Sequence, residues 1–140
     1  MSLANLKILA LESRRADDFA SLIRRQGGDP FIAPSVREKS IEDRSSALAF
    51  VNALEEGSFD IVVCMTGVGL TFLQESVDAK RVGAALRNAA IISRGTKPVP
   101  ILRSLGVPIA EVIPEPNTWR EVLTSIERRL KENPGLRIAI

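Results

Sequence analysis

A chain of 140 residues has room for one ordinary domain or for part of a larger one, and 45% hydrophobic with 26% charged residues is a globular composition, not a disordered or fibrous one. Nineteen Lys and Arg stand against 17 Asp and Glu, and a net charge of +2 is too small a bias to imply nucleic acid. No stretch approaches the roughly 20 continuous apolar residues of a membrane span, and the N-terminus lacks a signal-peptide pattern, so a cytoplasmic protein with neither membrane nor nucleic acid as partner is expected. The chain has no histidine and no tyrosine. That removes the commonest general base, the Ser-His-Asp and Cys-His arrangements, and every histidine-containing metal site. The single cysteine, Cys64, lies within an apolar run, which excludes a disulfide framework and makes it a packing residue before a catalytic thiol.

In chain order, Lys7–Leu11 is a short apolar run. Over Ala16–Gln26 the apolar Ala16, Phe19, Leu22 and Ile23 share one helical face, predicting a strand followed by an amphipathic helix. Ser13 is the candidate N-cap, with Asp17 and Asp18 in the favourable first turn. Gly27-Gly28 stops the helix, and Phe31–Ala33 is a second strand that Pro34 cuts short. Residues Ser35–Arg44 are polar and charged and read as a connector between domains. From Ser45 the spacing of Leu48, Val51 and Leu54 predicts a helix closed by Gly57.

Ile61–Met65 is uniformly apolar and rich in β-branched residues, which predicts a strand covered on both faces, as in parallel sheets. Thr66-Gly67-Val68-Gly69 then turns into a helical pattern, and a second helical piece, Asp78–Asn88, leads to a strand at Ala89–Ile92. Ser93-Arg94-Gly95-Thr96-Lys97-Pro98 is another strand-to-helix turn, with Pro98 suited to the first helical turn and Thr96 a possible cap. After the short apolar face of Ile101, Leu102 and Leu105, Ala110–Ile113 is a strand interrupted by Pro114. Trp119, Val122, Leu123, Ile126 and Leu130 make a strong helical stripe, capped by Thr118 with Glu121 as a capping box. A final strand is expected at Arg137–Ile140. Alternating strands and helices imply an open, parallel, doubly wound α/β sheet.

Ligands of such sheets lie beyond the carboxyl ends of the strands. There Thr66, Gly67 and Val68 can cradle an anion on freed backbone N–H groups, or can simply make a tight turn. Arg94, Thr96 and Lys97 offer a second turn of the same kind, which could equally be a solvated surface, and Ser13, Arg14 and Arg15 a weaker third. The cations of these turns are expected to gather on one sheet edge. The third glycine and later acid of a dinucleotide fingerprint are missing. Trp119 could stack on a ligand ring but heads the strongest apolar stripe, so it is assigned to the core. Glu12 and Glu115 are the acids nearest the turns. A phosphorelay receiver would need an aspartate cluster at its strand ends, and Glu12 with Cys64-Met65-Thr66 does not supply it.

Four segments taken together, Ile8–Ala33 with its Ser-Arg-Arg turn and Gly-Gly-Asp-Pro, DIVVCMTGVG at Asp60–Gly69, IISRGTKPVPILRSLGV at Ile91–Val107 and VIPEPNTWREVL at Val112–Leu123, resemble the uroporphyrinogen-III synthase family. The resemblance implies two flavodoxin-like domains in a bilobal arrangement, joined by a two-stranded connection. Residues 1–34 would be the first βαβ unit of one domain, 35–44 the connector, and 45–140 most of the second domain without its last helix and strand. It implies a lyase that closes hydroxymethylbilane, a linear tetrapyrrole, into uroporphyrinogen III with inversion of the last pyrrole ring, through an azafulvene and a spiro intermediate, with no cofactor and no metal. Binding through main-chain amides is implied at Thr66, Gly67, Val68, Ser93, Arg94, Gly95, Thr96 and Lys97, with Ser13 and Arg14 at the weaker turn. The catalytic acid is not identified, because the tyrosine the family carries beyond the last strand has no counterpart here. The chain alone is therefore expected to be an inactive fragment, which could form a swapped homodimer. The alternative from the residues themselves is a non-catalytic α/β module that senses a carboxylate-rich small molecule, and a third possibility is a partner-binding domain whose turns stay empty.

Overall fold

The computed structural model describes residues 2–36 and 43–140. Of the connector expected over Ser35–Arg44, residues 37–42 lie outside the described residues. The chain divides into two compact units, Met1–Lys39 and Ser40–Ile140.

The first unit is a single βαβ motif: β1 (Lys7–Ala10), α1 (Ala16–Arg25) and β2 (Asp29–Ile32), with the strands paired in parallel. Strand alternation turns Ala10 into the small core with Ala20 and Ile23 of α1, while the register partners Leu9 and Phe31 stay 60% and 68% exposed. Phe19 and Leu22, expected on the buried face, are also largely exposed, because two strands cover only part of so wide an apolar stripe. The second strand starts earlier than expected and contains Pro30, which an edge strand with few ladder bonds tolerates. The N-cap of α1 is Arg15, with no side-chain cap; Ser13 lies two residues too early, and its amide donates instead to Glu12 Oε1 at 2.9 Å.

The second unit contains α2 (Ser45–Glu55), β3 (Ile61–Cys64), α3 (Gly67–Ser76), α4 (Ala79–Leu86), β4 (Ala90–Ser93), α5 (Val99–Ser104), β5 (Glu111–Val112), α6 (Trp119–Glu132) and β6 (Ile138–Ala139). Its strands form one parallel sheet in the order β5-β4-β3-β6. All four residues of β3 are buried. Val62 and Cys64 face a core shared with Val51, Leu54, Leu70, Val82, Leu86 and Leu102, from α2 to α5. Ile61 and Val63 face the opposite core, with Ile92, Ile113, Val122 and Ile126 beneath α6. Helices on both faces of a parallel sheet make this an open, doubly wound α/β fold. The chain leaves β3 toward β4 on one side and returns through β6 on the other, so the topological switch point falls between β3 and β6, at the start of the Thr66 turn.

β6 is anchored at its base. Arg137 Nε and Nη2 donate to the two Asp60 carboxylate oxygens at 3.0 Å each, and its amide donates to Asp60 Oδ2 at 2.8 Å. These bonds draw the Asp60 carboxyl down to about 2. The long stripe of α6 buries Val122 and Ile126, but Trp119 is 58% exposed and Leu123 43%. The expectation that Trp119 is core is therefore wrong. It is the first residue of α6, and burial on this helix begins at Val122.

Candidate functional site at the carboxyl edge of the second sheet

The turn after β3 is built for its conformation. Thr66 has an extended backbone and its Oγ1 accepts the Gly69 N–H at 3.0 Å, an N-cap that opens α3. First-turn amides have no acceptor within their own helix. With Gly69 satisfied by Thr66, those of Gly67 and Val68 are the donors this turn can offer a ligand. Gly67 is required by proximity, because a Cβ there would lie 2.9 Å from the Lys97 carbonyl oxygen.

The turn after β4 is therefore the immediate neighbour of the turn after β3. The Arg94 N–H donates to the Cys64 carbonyl at 3.0 Å, continuing the β3–β4 pairing to the point where the two turns part. Ser93 is fully buried, and its hydroxyl donates to the Gly95 carbonyl at 2.8 Å, folding the turn back on itself. Gly95 has φ +72, the left-handed conformation that favours glycine. Arg94 is half-buried, and its Nε is buried without a hydrogen-bond partner among the described residues. Such a donor calls for an acceptor that the protein does not supply. Thr96 and Lys97 are exposed. Thr96 does not cap α5 with its side chain; Pro98 occupies the N-cap position, and the Thr96 carbonyl accepts the Val99 N–H at 3.2 Å.

A third turn, after β5, joins these two, and it was missed in the sequence. A Cβ on Gly95 would stand 3.0 Å from the Asn117 side-chain amide, so the Pro114–Thr118 turn packs directly on the Ser93–Lys97 turn. A strand end followed by Pro-Glu-Pro-Asn and a threonine helix cap repeats the strand-and-cap pattern of the Thr66 turn, and that pattern could have revealed it. The cap is firm: the Thr118 amide and hydroxyl donate to Glu121 Oε2 at 2.7 and 2.6 Å, and the hydroxyl oxygen accepts from the Arg120 N–H at 3.2 Å. Both bonds hold the Glu121 carboxyl below its ordinary value.

Behind the first turn lies a cavity of about 270 Å³ whose lining includes Phe50, Cys64, Leu70, Leu73, Thr66 and Gly69. Burial pushes the Cys64 thiol up to about 11, which keeps it protonated and unreactive at neutral pH. Among the described residues no group of three or more His, Cys, Asp or Glu could hold a metal ion. Thr66, Gly67, Val68, Ser93, Arg94, Gly95, Thr96 and Lys97 thus come together on one edge. Ser13 and Arg14 belong to the first unit and follow β1 of its own sheet, where the Ser13 and Arg14 amides both donate to Glu12 Oε1 at 2.9 Å and lower its carboxyl. The cations expected on one sheet edge are divided between two sheets.

The second unit is an open parallel α/β domain whose contiguous strand-end turns offer backbone N–H groups and cations, donors of the kind that suit an anion. The family model for uroporphyrinogen-III synthase HemD matches residues 17–138, and the chain belongs to that family. A Bacillus subtilis (strain 168) relative, "Uncharacterized protein YjjA", is 30% identical over an alignment of 126 residues, and the match covers 82% of this chain and 43% of that protein. A crystal structure of a mutant uroporphyrinogen III synthase from the extremely thermophilic bacterium Thermus thermophilus covers 86% of this chain at 24% identity and a TM-score of 0.67, using 47% of its own length. The wild-type enzyme in another crystal form gives a TM-score of 0.55 over the same share of this chain, with 24% identity and 46% of its length. These likenesses establish the fold, and the chain spans less than half the length of the relatives it matches. No described helix is long and apolar enough to cross a membrane.

Proposed function

We propose that the second unit grips the carboxylate arms of hydroxymethylbilane, and that the chain supplies this grip to a uroporphyrinogen-III synthase reaction, the closure of the linear tetrapyrrole with inversion of its last ring. The observation that carries the proposal is the contact of Gly67 with the Lys97 carbonyl, which makes the Thr66 and Arg94 turns one continuous surface. The half-buried Arg94 guanidinium and the open amides of Gly67 and Val68 are donors suited to carboxylates. The role of the protein is positioning: holding a flexible chain in one geometry converts ring closure into a directed intramolecular step. Thr66, Gly67, Val68, Ser93, Arg94, Gly95, Thr96 and Lys97 form the proposed grip, with the first two turns as its centre and Ser13 and Arg14 as a separate, weaker contact.

Titration of uroporphyrin, the aromatic relative of the product, tests the grip directly. Saturable binding is expected, weakened by Arg94→Ala and by Thr66→Ala, with Thr66→Ser as the variant that keeps the cap. Absence of saturable binding, or binding indifferent to both alanine variants, refutes the reading. Incubation with hydroxymethylbilane and isomer analysis of the oxidised product bears on catalysis. The spontaneous isomer alone is expected from this chain, and excess of the inverted isomer would place a complete catalytic set within it.

For the first unit we propose exchange between two copies, because a βαβ motif of this size exposes Leu6, Leu9, Leu11, Leu22, Phe31 and Val36, each more than half exposed. So small a unit leaves too much apolar surface to stand alone.

A further inference from the structure

We propose that Trp119 and Arg120 form a platform that stacks one pyrrole ring of the ligand and pairs with its carboxylate arm. This rests on the function proposed above and adds a specificity element that the turns alone lack. Three observations carry it. Trp119 is the chain's single tryptophan, yet at 58% exposure it contributes little to the core, which Val122 and Ile126 of the same helix fill without it. It opens α6, so it stands at the carboxyl edge, two residues after Asn117, whose side chain packs on Gly95 of the second turn. The Arg120 guanidinium carbon lies 4.7 Å from the Trp119 ring centroid, a cation–π stack on the surface.

The chemistry fits a carboxylate-bearing aromatic ring. An indole offers a large flat apolar surface at small entropic cost, and a guanidinium stacked on it keeps its N–H groups in plane, free to grip a carboxylate in bidentate fashion. The neighbouring Glu121 Oε2 is engaged by the Thr118 amide and hydroxyl, and the attraction of Arg120 to that carboxylate is the smallest of the causes that lower it. Arg120 takes no part in the ion pairs of Arg15, Arg81, Arg128, Arg129 and Arg137. Backbone turns bind any carboxylate, whereas a ring-stacking surface beside them selects for an aromatic scaffold.

The lone tryptophan makes the test direct. A monopyrrole bearing one acetate and one propionate arm, which does not absorb at the indole emission, is expected to change Trp119 fluorescence saturably. Uroporphyrin affinity, measured by calorimetry, is expected to fall about tenfold in Trp119→Ala and about fivefold in Arg120→Ala, with Trp119→Phe within about threefold of the parent. Far-UV circular dichroism should be unchanged in all three. If uroporphyrin binds and responds to Arg94→Ala but is indifferent to Trp119→Ala and Arg120→Ala, the platform is refuted and the turn site stands. If the parent chain does not bind uroporphyrin at all, both fall together.

Discussion

Replacing Gly67 with alanine puts a methyl carbon 2.9 Å from the Lys97 carbonyl oxygen and 3.5 Å from Ile101 Cδ1. The first contact is with backbone, so relief requires α3 or the β4–α5 turn to move as a body. In an exposed helix the same substitution stabilises by up to about 1 kcal/mol, because alanine loses less backbone entropy than glycine. Overpacking a well-fitted contact costs about 1–3 kcal/mol, and the clash is expected to outweigh the propensity gain. The net loss should be about 1–2 kcal/mol, and for a domain of this size each kcal/mol lowers Tm by about 4–8 °C. Gly69→Ala is the milder comparison: its Cβ would press only on Thr66 Oγ1, at 3.2 Å from the oxygen that caps its own amide, and it should stay within about 1 kcal/mol of the parent. Thermal unfolding followed by far-UV circular dichroism reads chiefly the second unit, which holds five of the six helices among the described residues. Gly67→Ala should also weaken uroporphyrin binding, since the amides it displaces are the proposed donors. A variant that melts at or above the parent temperature would refute the close contact between the two turns, and with it the continuous surface on which the proposed function rests.

The Asp60–Arg137 pairing predicts a pH dependence. Asp60 is drawn from 3.8 to about 2 by the Arg137 side chain, so its contribution is present above the unfolded value and lost as pH falls toward 2. The stability advantage of the parent over Asp60→Asn should be full at pH 7 and shrink between about pH 4 and pH 2, and a difference that stays constant in urea titrations across that range contradicts the assignment. Cys64, 6% exposed with its thiol pushed up to about 11, should resist a thiol reagent at pH 8 until the chain is unfolded, and rapid labelling of the native protein would mean that β3 is not buried. The exposed Leu9–Phe31 pair should drive concentration-dependent association, abolished by Leu9→Ser with Phe31→Ser, and sedimentation showing a monomer of the parent chain at every concentration would sink the exchange.

The second unit was readable because its local signals agree with its tertiary structure. Ile61–Cys64 is apolar without alternation and is covered on both faces, Thr66 caps the helix that follows it, and the Thr118–Glu121 box is present as its spacing required. What escaped reading was non-local. Helical spacing places Trp119 at the head of an apolar stripe, but a stripe is buried only where another layer lies beneath it, and Trp119 is 58% exposed although Val122, three residues on, is buried. Phe19 and Leu22 were misassigned for the same reason, since the width of a two-stranded sheet is not written in the helix that crosses it. The contact of Gly95 with Asn117 joins two turns separated by a helix and a strand, and neither sequence segment announces the other.

The polar side chains of the site explain why residue identity was a poor guide to its chemistry. The Thr66 hydroxyl holds the Gly69 amide, the Ser93 hydroxyl holds the Gly95 carbonyl, and the Thr118 hydroxyl bridges the Glu121 carboxylate and the Arg120 amide. Each is occupied in shaping the backbone, and what remains to meet a ligand is main-chain N–H groups together with the few side chains that the turns do not use. A search for catalytic residue types passes over such a site, because its donors are common to every amino acid except proline. In the proposed site the spacing of carboxylates would be read by where the turns stand relative to one another, the ring being left to the Trp119–Arg120 platform, and glycine at positions 67 and 95 is what allows the turns to touch. Substitutions that alter spacing should consequently cost more ligand affinity than substitutions that remove a hydroxyl and leave its turn in place.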